Sequence, residues 1–109
     1  MKAWEIWTGP LFGSHPVLLI SSQPRIDRKQ FLVVLKGVTM RPGHPFKVDA
    51  LQATLDEEDG LETETRFDCD LLYTLEKSAL TRKRGEVRSL ERRRDIARKI
   101  IQGLAFAGL

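Results

Sequence analysis

The run Gly13-Ser14-His15-Pro16-Val17-Leu18-Leu19-Ile20-Ser21 constrains this chain more than any other. Proline lacks an amide hydrogen and suits the first position of a strand, and the four apolar residues after Pro16 predict a strand buried on both faces. A second run, Phe31 to Val38, is rich in β-branched and bulky apolar residues and predicts another core strand. The first run opens at His15 and the second ends at Thr39-Met40-Arg41-Pro42. If the two strands pair, His15, Thr39 and Arg41 converge on one edge.

The remaining pattern is mostly β. Ala3 to Thr8 predicts a half-buried strand closed by Gly9-Pro10, with Trp4 and Trp7 on opposite faces and Leu11 to Ser14 as a loop over the site. Ser22 to Lys29 is polar, contains Pro24 and reads as a connection whose Arg25 and Arg28 are candidates to meet phosphates. Thr39 to Pro45 predicts a loop that includes His44. Phe46 to Leu55 predicts a strand whose alternation shifts as if by a bulge. A turn follows at Asp56 to Leu61, and then a long strand from Thr63 to Tyr73. Along that strand Phe67, Cys69 and Leu71 share one face, and Arg66, Asp68 and Asp70 the other.

Lys77 to Leu80 predicts one helical turn, Thr81 to Gly85 a basic turn, and Glu86 to Arg88 a short strand. Ser89 is a good N-cap for a helix running to about Gln102, with Gly103 at its end and an apolar stripe of Leu90, Ala97, Ile100, Ile101 and Leu104. The apolar tail Ala105 to Leu109 is expected to dock on the body or on a second subunit. Several short strands and one late helix predict a mainly β chain with a C-terminal helix, a small SH3-like barrel or rolled sheet forming one domain over residues 1–109.

With 109 residues the chain is long enough to bury a core but too short for two. No apolar run reaches membrane-spanning length and the N-terminus lacks a signal-peptide core, so a cytoplasmic location is expected, with no membrane partner. The single cysteine, Cys69, has no internal partner for a disulfide. Asp56-Glu57-Glu58-Asp59 lacks the ligand spacing of a calcium loop, and Cys/His clusters are absent, so neither a metal nor another cofactor is expected.

The net charge of +3 conceals three blocks. Residues 1–48 carry seven basic against two acidic side chains, residues 49–76 one against ten, and residues 77–109 ten against three. Such a distribution would attract a polyanion on one face and a cationic partner on another.

The order of several short motifs resembles that of PemK/MazF toxins. They are Glu5-Ile6-Trp7, His15 to Ser21, the strand ending at Thr39, Asp56 to Leu61, Cys69-Asp70-Leu71-Leu72-Tyr73 and Lys83-Arg84-Gly85-Glu86-Val87. The resemblance covers nearly the whole chain. It implies a small SH3-like barrel of the CcdB/PemK/MazF type that forms a homodimer and cuts single-stranded RNA without a metal. It also implies a partner antitoxin whose acidic, disordered segment lies over the site. Where that family usually reads Arg-Pro-Val, with the arginine catalytic, this chain has His15-Pro16-Val17. Thr39 matches the family's Thr or Ser. The Arg-Cys-Asp triplet of the Kid-like branch is Asp68-Cys69-Asp70 here, so Asp70 matches and the arginine does not, leaving Arg66 or Arg41 to substitute in space.

Metal-free cleavage needs a base for the 2′-hydroxyl, donors for the charged phosphorane and an acid for the departing 5′-oxygen. An imidazole, with an ordinary pKa of about 6.5, moves protons at neutral pH more readily than a guanidinium. The resemblance and this chemistry together make His15 and Asp70 the expected acid and base, Thr39 a hydrogen-bond donor, and Arg25, Arg28, Arg41 and Arg66 the RNA-binding cations. Two other classes stay open at this level: a binding module that has kept the barrel but lost the chemistry, and a poison of a protein target such as gyrase.

Overall fold

Strands that are apolar on both faces need cover on both sides, and two short helices and the loops supply it. The computed structural model describes residues 1–43, 47–106 and 108–109. Among these, the strands are β1 (Glu5–Pro10), β2 (Ser14–Leu19), β3 (Phe31–Thr39), β4 (Gln52–Leu55), β5 (Thr65–Glu76) and β6 (Arg82–Glu86). The α-helices are α1 (Gln23–Arg28) and α2 (Leu90–Gly103), and single 3-10 turns lie at Glu57–Asp59 and, where a helical turn is expected, at Lys77–Ala79. The strands form one antiparallel sheet, in the order β4-β5-β3-β2-β1-β6, curled into a half-barrel. The mainly β architecture with a C-terminal helix is thus the one the sequence pattern predicts.

Alternate residues of β2 divide the core. Leu18 joins Ile6, Leu35, Phe67, Val87 and Ile96 of α2 on one face. Val17 and Leu19 join Leu32, Val34, Leu80 and Ile26 of α1 on the other. Each of these large side chains, removed from water, contributes about 1.5 to 3 kcal/mol. Trp4 and Trp7 pack against opposite clusters, as their spacing predicts. No helix among the described residues is long and apolar enough to cross a membrane.

Several local expectations are corrected. Ser22 to Lys29 is not a plain connection: Pro24 falls in the first turn of α1, and buried Ile26 anchors that helix to the sheet. Gly9-Pro10 does not close β1, because the strand continues and pairs Gly9 with His15 and Pro10 with Ser14. The expected strand from Phe46 shrinks to β4. His44, Pro45 and Phe46 lie outside the described residues, and residues 47–51 precede the strand.

The irregularity expected near that strand occurs in β5 instead. Leu35 pairs with Leu72 but Gly37 pairs with Phe67, so residues 68–71 bulge opposite Lys36. The basic run Thr81 to Gly85 is largely strand β6 rather than a turn. In α2 the Ser89 hydroxyl accepts the Arg92 amide as predicted, but Ile96 is the residue buried, and Leu90 and Ile101 are exposed. Gly103 is needed for close approach to β5 rather than for a left-handed cap, since a Cβ there would meet Asp70 Cα at 2.7 Å. Phe106 and Leu109 are exposed, so these tail residues do not dock on the body.

Candidate functional site

The start of β2 and the end of β3 lie side by side because the two strands run antiparallel, with Val17 opposite Lys36. This arrangement brings Ser14, His15 and Pro16 beside Val38, Thr39 and Arg41. Together with Arg84 they line an open cleft of about 340 Å³. The convergence of His15, Thr39 and Arg41 read from the sequence is therefore present in the fold. The His15 ring is half-buried, and its Nδ1 lies 3.2 Å from the Gly37 carbonyl. A carbonyl only accepts, so this hydrogen bond requires the proton on Nδ1 and leaves Nε2 as the acceptor of the neutral ring.

Arg84 is the lining residue that the sequence reading missed. Ile6 pairs with Gly85 and Trp7 with Lys83, so Arg84 is an extra residue on β6, at a bulge against β1. Bulges re-aim side chains, and this one lets Arg84 of an edge strand take part in the cleft lining. The only signal in the sequence was the basic run itself. The strand carrying Arg84 is pinned nearby: Lys83 Nζ lies 2.9 Å from a carboxylate oxygen of buried Glu5. Burial acts to raise the Glu5 carboxyl, but Lys83, the Lys2 amide and the Trp7 indole outweigh it and hold it below its ordinary value.

The described lining residues include a histidine, a serine, a threonine and two arginines, and no aspartate or glutamate. Such a surface attracts anions and can stabilise charge growing on a phosphate. A second depression, lined by Glu57, Glu58, Asp59 and Glu86 together with Lys83 and Arg88, presents carboxylates that repel a phosphate chain. Among the described residues no cluster of three or more His, Cys, Asp or Glu is arranged to hold a metal ion.

The other predicted site residues lie elsewhere. Asp70 is exposed in the β5 bulge against Gly103 of α2, with β3 standing between its strand and that of His15. Cys69 beside it is fully buried, and burial pushes its thiol up to about 11. Asp68 accepts a hydrogen bond from Gln52 at 2.6 Å. Arg66 lies on β5, in register with Val38 and Thr54, and is not part of the cleft lining. Arg25 and Arg28 belong to α1, and Arg25 Nε donates to the Phe31 carbonyl at 2.9 Å. Neither lines the cleft.

No sequence-family model matches the chain, and no curated protein matches it by sequence. Solved structures do match. The Mycobacterium tuberculosis toxin MazF-mt6 superposes with a TM-score of 0.78 at 19% identity, over 91% of this chain and 94% of that one. A mycobacterial endoribonuclease solved with its cognate antitoxin gives 0.78 at 19% identity, over 94% and 93%. MazF from a MazE-MazF structure of Deinococcus radiodurans gives 0.74 at 14% identity, over 98% and 97%.

The chain has the MazF-like fold. The likeness in motif order thus extends to three dimensions even though fewer than one residue in five is shared. In this MazF-like sheet the cleft lies where the start of β2 meets the end of β3, and its cations come from the loop after β3 and from the bulged edge strand.

Proposed function

We propose that this protein is the toxin of a type II toxin-antitoxin system, a cytoplasmic endoribonuclease that cuts single-stranded RNA at selected sequences without a metal. The observation that carries the reading is the cleft itself, in which His15, Thr39, Arg41 and Arg84 surround an opening free of described carboxylates. The MazF-like fold, shared with proteins described as toxins and endoribonucleases, supports it.

In this reading Nε2 of His15 takes the proton of the 2′-hydroxyl. The 2′-oxygen then bonds to phosphorus, and the bond from phosphorus to the 5′-oxygen breaks. The leaving oxygen takes up a proton from solvent, and the imidazolium later returns its own to water. Arg41 and Arg84 hold the charged phosphorane, and Thr39 donates a hydrogen bond. Asp70, which does not line the cleft, takes no part, and Arg25, Arg28 and Arg66 act at most on more distant phosphates. The same cationic opening suits the acidic segment of an antitoxin, and relatives solved with an antitoxin support such a partner. Exposed Leu71 and Leu72 on β5 offer apolar surface to a second copy of the chain.

The test is incubation of the purified protein with a long single-stranded RNA in EDTA, followed by analysis of the ends. The expected products carry 2′,3′-cyclic phosphate and 5′-hydroxyl groups. Intact RNA under these conditions, with growth arrest on induced expression, would transfer the reading to a protein poison. Intact RNA without arrest would leave a binding module.

A further inference from the structure

Between β1 and β2 the chain turns through Phe12 and Gly13, both with left-handed backbone angles, φ 54° and φ 102°. Side-chain-bearing residues rarely adopt that conformation, and a bulky aromatic does so least. Burial does not compensate, because Phe12 is 85% exposed. Its ring and that of Tyr73 form a T-shaped pair, with centroids 6.4 Å apart and planes at 75°. The Lys36 ammonium lies 5.5 Å from the ring centroid. Lys36 pairs with Val17, two residues along β2 from His15, so it shares the face of His15 at a remove of about 7 Å.

We infer that Phe12, Tyr73 and Lys36 form a stacking ledge that holds the base of a nucleotide flanking the phosphate in the cleft. A flat ring largely in water, packed in a T with a second ring and accompanied by an ammonium, matches a ligand with both a π-face and negative charge. Single-stranded nucleic acid has both. The ring meets a tyrosine and an ammonium, a pairing of π-surface and positive charge that suits a base with its phosphate better than an uncharged apolar protein surface. This assignment rests on the reading of the cleft as an RNA site.

The test uses fluorescence anisotropy with a mixed-sequence single-stranded oligonucleotide whose 2′-O-methyl groups block cleavage, and with an abasic oligonucleotide of equal length. Phe12→Ala is expected to weaken binding of the first about tenfold, the effect of losing one stacked base, while Phe12→Trp keeps it. On the abasic chain Phe12→Ala and the parent bind alike. Equal affinity of Phe12→Ala and the parent on both chains, with Arg84→Ala still weakening binding, overturns the ledge and leaves the cleft reading standing. Binding that is absent in the parent and indifferent to Arg84→Ala overturns both. A Phe12→Ala defect of the same size on the abasic chain, or one confined to self-association in sedimentation, also overturns the ledge.

Discussion

His15 meets the carbonyl oxygen of Gly37 through Nδ1 at 3.2 Å, a contact between β2 and β3 that fixes the ring at the rim of the cleft. Because that carbonyl can only accept, the arrangement selects the tautomer in which Nε2 is basic. Replacing His15 with Ala is expected to lower the rate of RNA cleavage about a hundredfold or more, as loss of a general base does. The half-buried ring fills no core space, so the melting temperature should stay close to that of the parent. Undiminished cleavage by the variant would remove His15 from the chemistry.

Arg84 reaches the cleft only because β6 carries one residue more than β1 across the bulge. If its guanidinium neutralises one phosphate of a single strand, Arg84→Ala should reduce the slope of log affinity against log salt by about 0.7. Arg84→Lys should restore the slope but not the full affinity, since a point charge lacks the planar fork. A salt series of binding titrations on the parent and both variants checks this. An unchanged slope in Arg84→Ala would place the side chain outside the phosphate path.

The sequence was most legible where local pattern and tertiary need agree. The apolar runs of β2 and β3 admit little but core strands, so the convergence of His15, Thr39 and Arg41 could be read from where those runs begin and end. It was least legible where pairing decides the outcome. Thr81 to Gly85 reads as a basic turn until β1 lends Arg82 to Glu86 hydrogen-bond partners, and the bulge at Arg84 is a mismatch between two strands that neither encodes alone. Asp70 misled for the same reason. Strict alternation puts it on a face with Arg66 and Asp68, but residues 68–71 bulge opposite Lys36 and leave it against the helix at Gly103.

The Glu5 carboxyl is buried, and Lys83, the Lys2 amide and the Trp7 indole hold it below its ordinary value of 4.5 against the upward push of burial. A carboxyl with a depressed folded pKa stabilises the fold fully above its unfolded pKa, and that contribution is lost as pH falls through the folded value. Urea unfolding from about pH 6 to about pH 3 should therefore show stability falling below about pH 4.5, with a shallower fall in Glu5→Gln. Identical pH profiles for the two proteins would show that the β1–β6 pin contributes nothing.

Arg92 of α2 reaches three carboxylates of the acidic turn, Asp56 at 3.2 Å, Glu58 at 2.7 Å and the buried Asp59. Arg92 is partly exposed and the Asp56 amide also donates to Asp59, so deleting the arginine leaves a buried carboxylate only partly satisfied, at a cost of about 2 kcal/mol. Arg92→Ala should show a loss of that order in denaturant unfolding, and adding Asp59→Asn should recover part of it by removing the orphaned charge. Recovery is the informative result, because a helix weakened only by lost packing would gain nothing from a change in the turn.

Gly37 links packing to chemistry, since its backbone carries the carbonyl that orients His15 and its missing side chain admits Phe67. A Cβ at this position would lie 2.7 Å from Phe67 Cε1, closer than a methyl and a ring can approach. Phe67 is fully buried among Ile6, Leu18 and Leu35, so it cannot simply swing away. Gly37→Ala should therefore destabilise the fold by about 2 kcal/mol through overpacking. It should also lower the cleavage rate beyond what stability explains, because β3 must shift where it holds the imidazole. Pairing it with Phe67→Leu removes the two ring contacts and leaves only Thr65 Cγ2, at 2.9 Å, so the double variant should be more stable than the sum of the two single effects. Strict additivity in that cycle, measured by denaturant unfolding, would mean that the glycine answers to some constraint other than the ring.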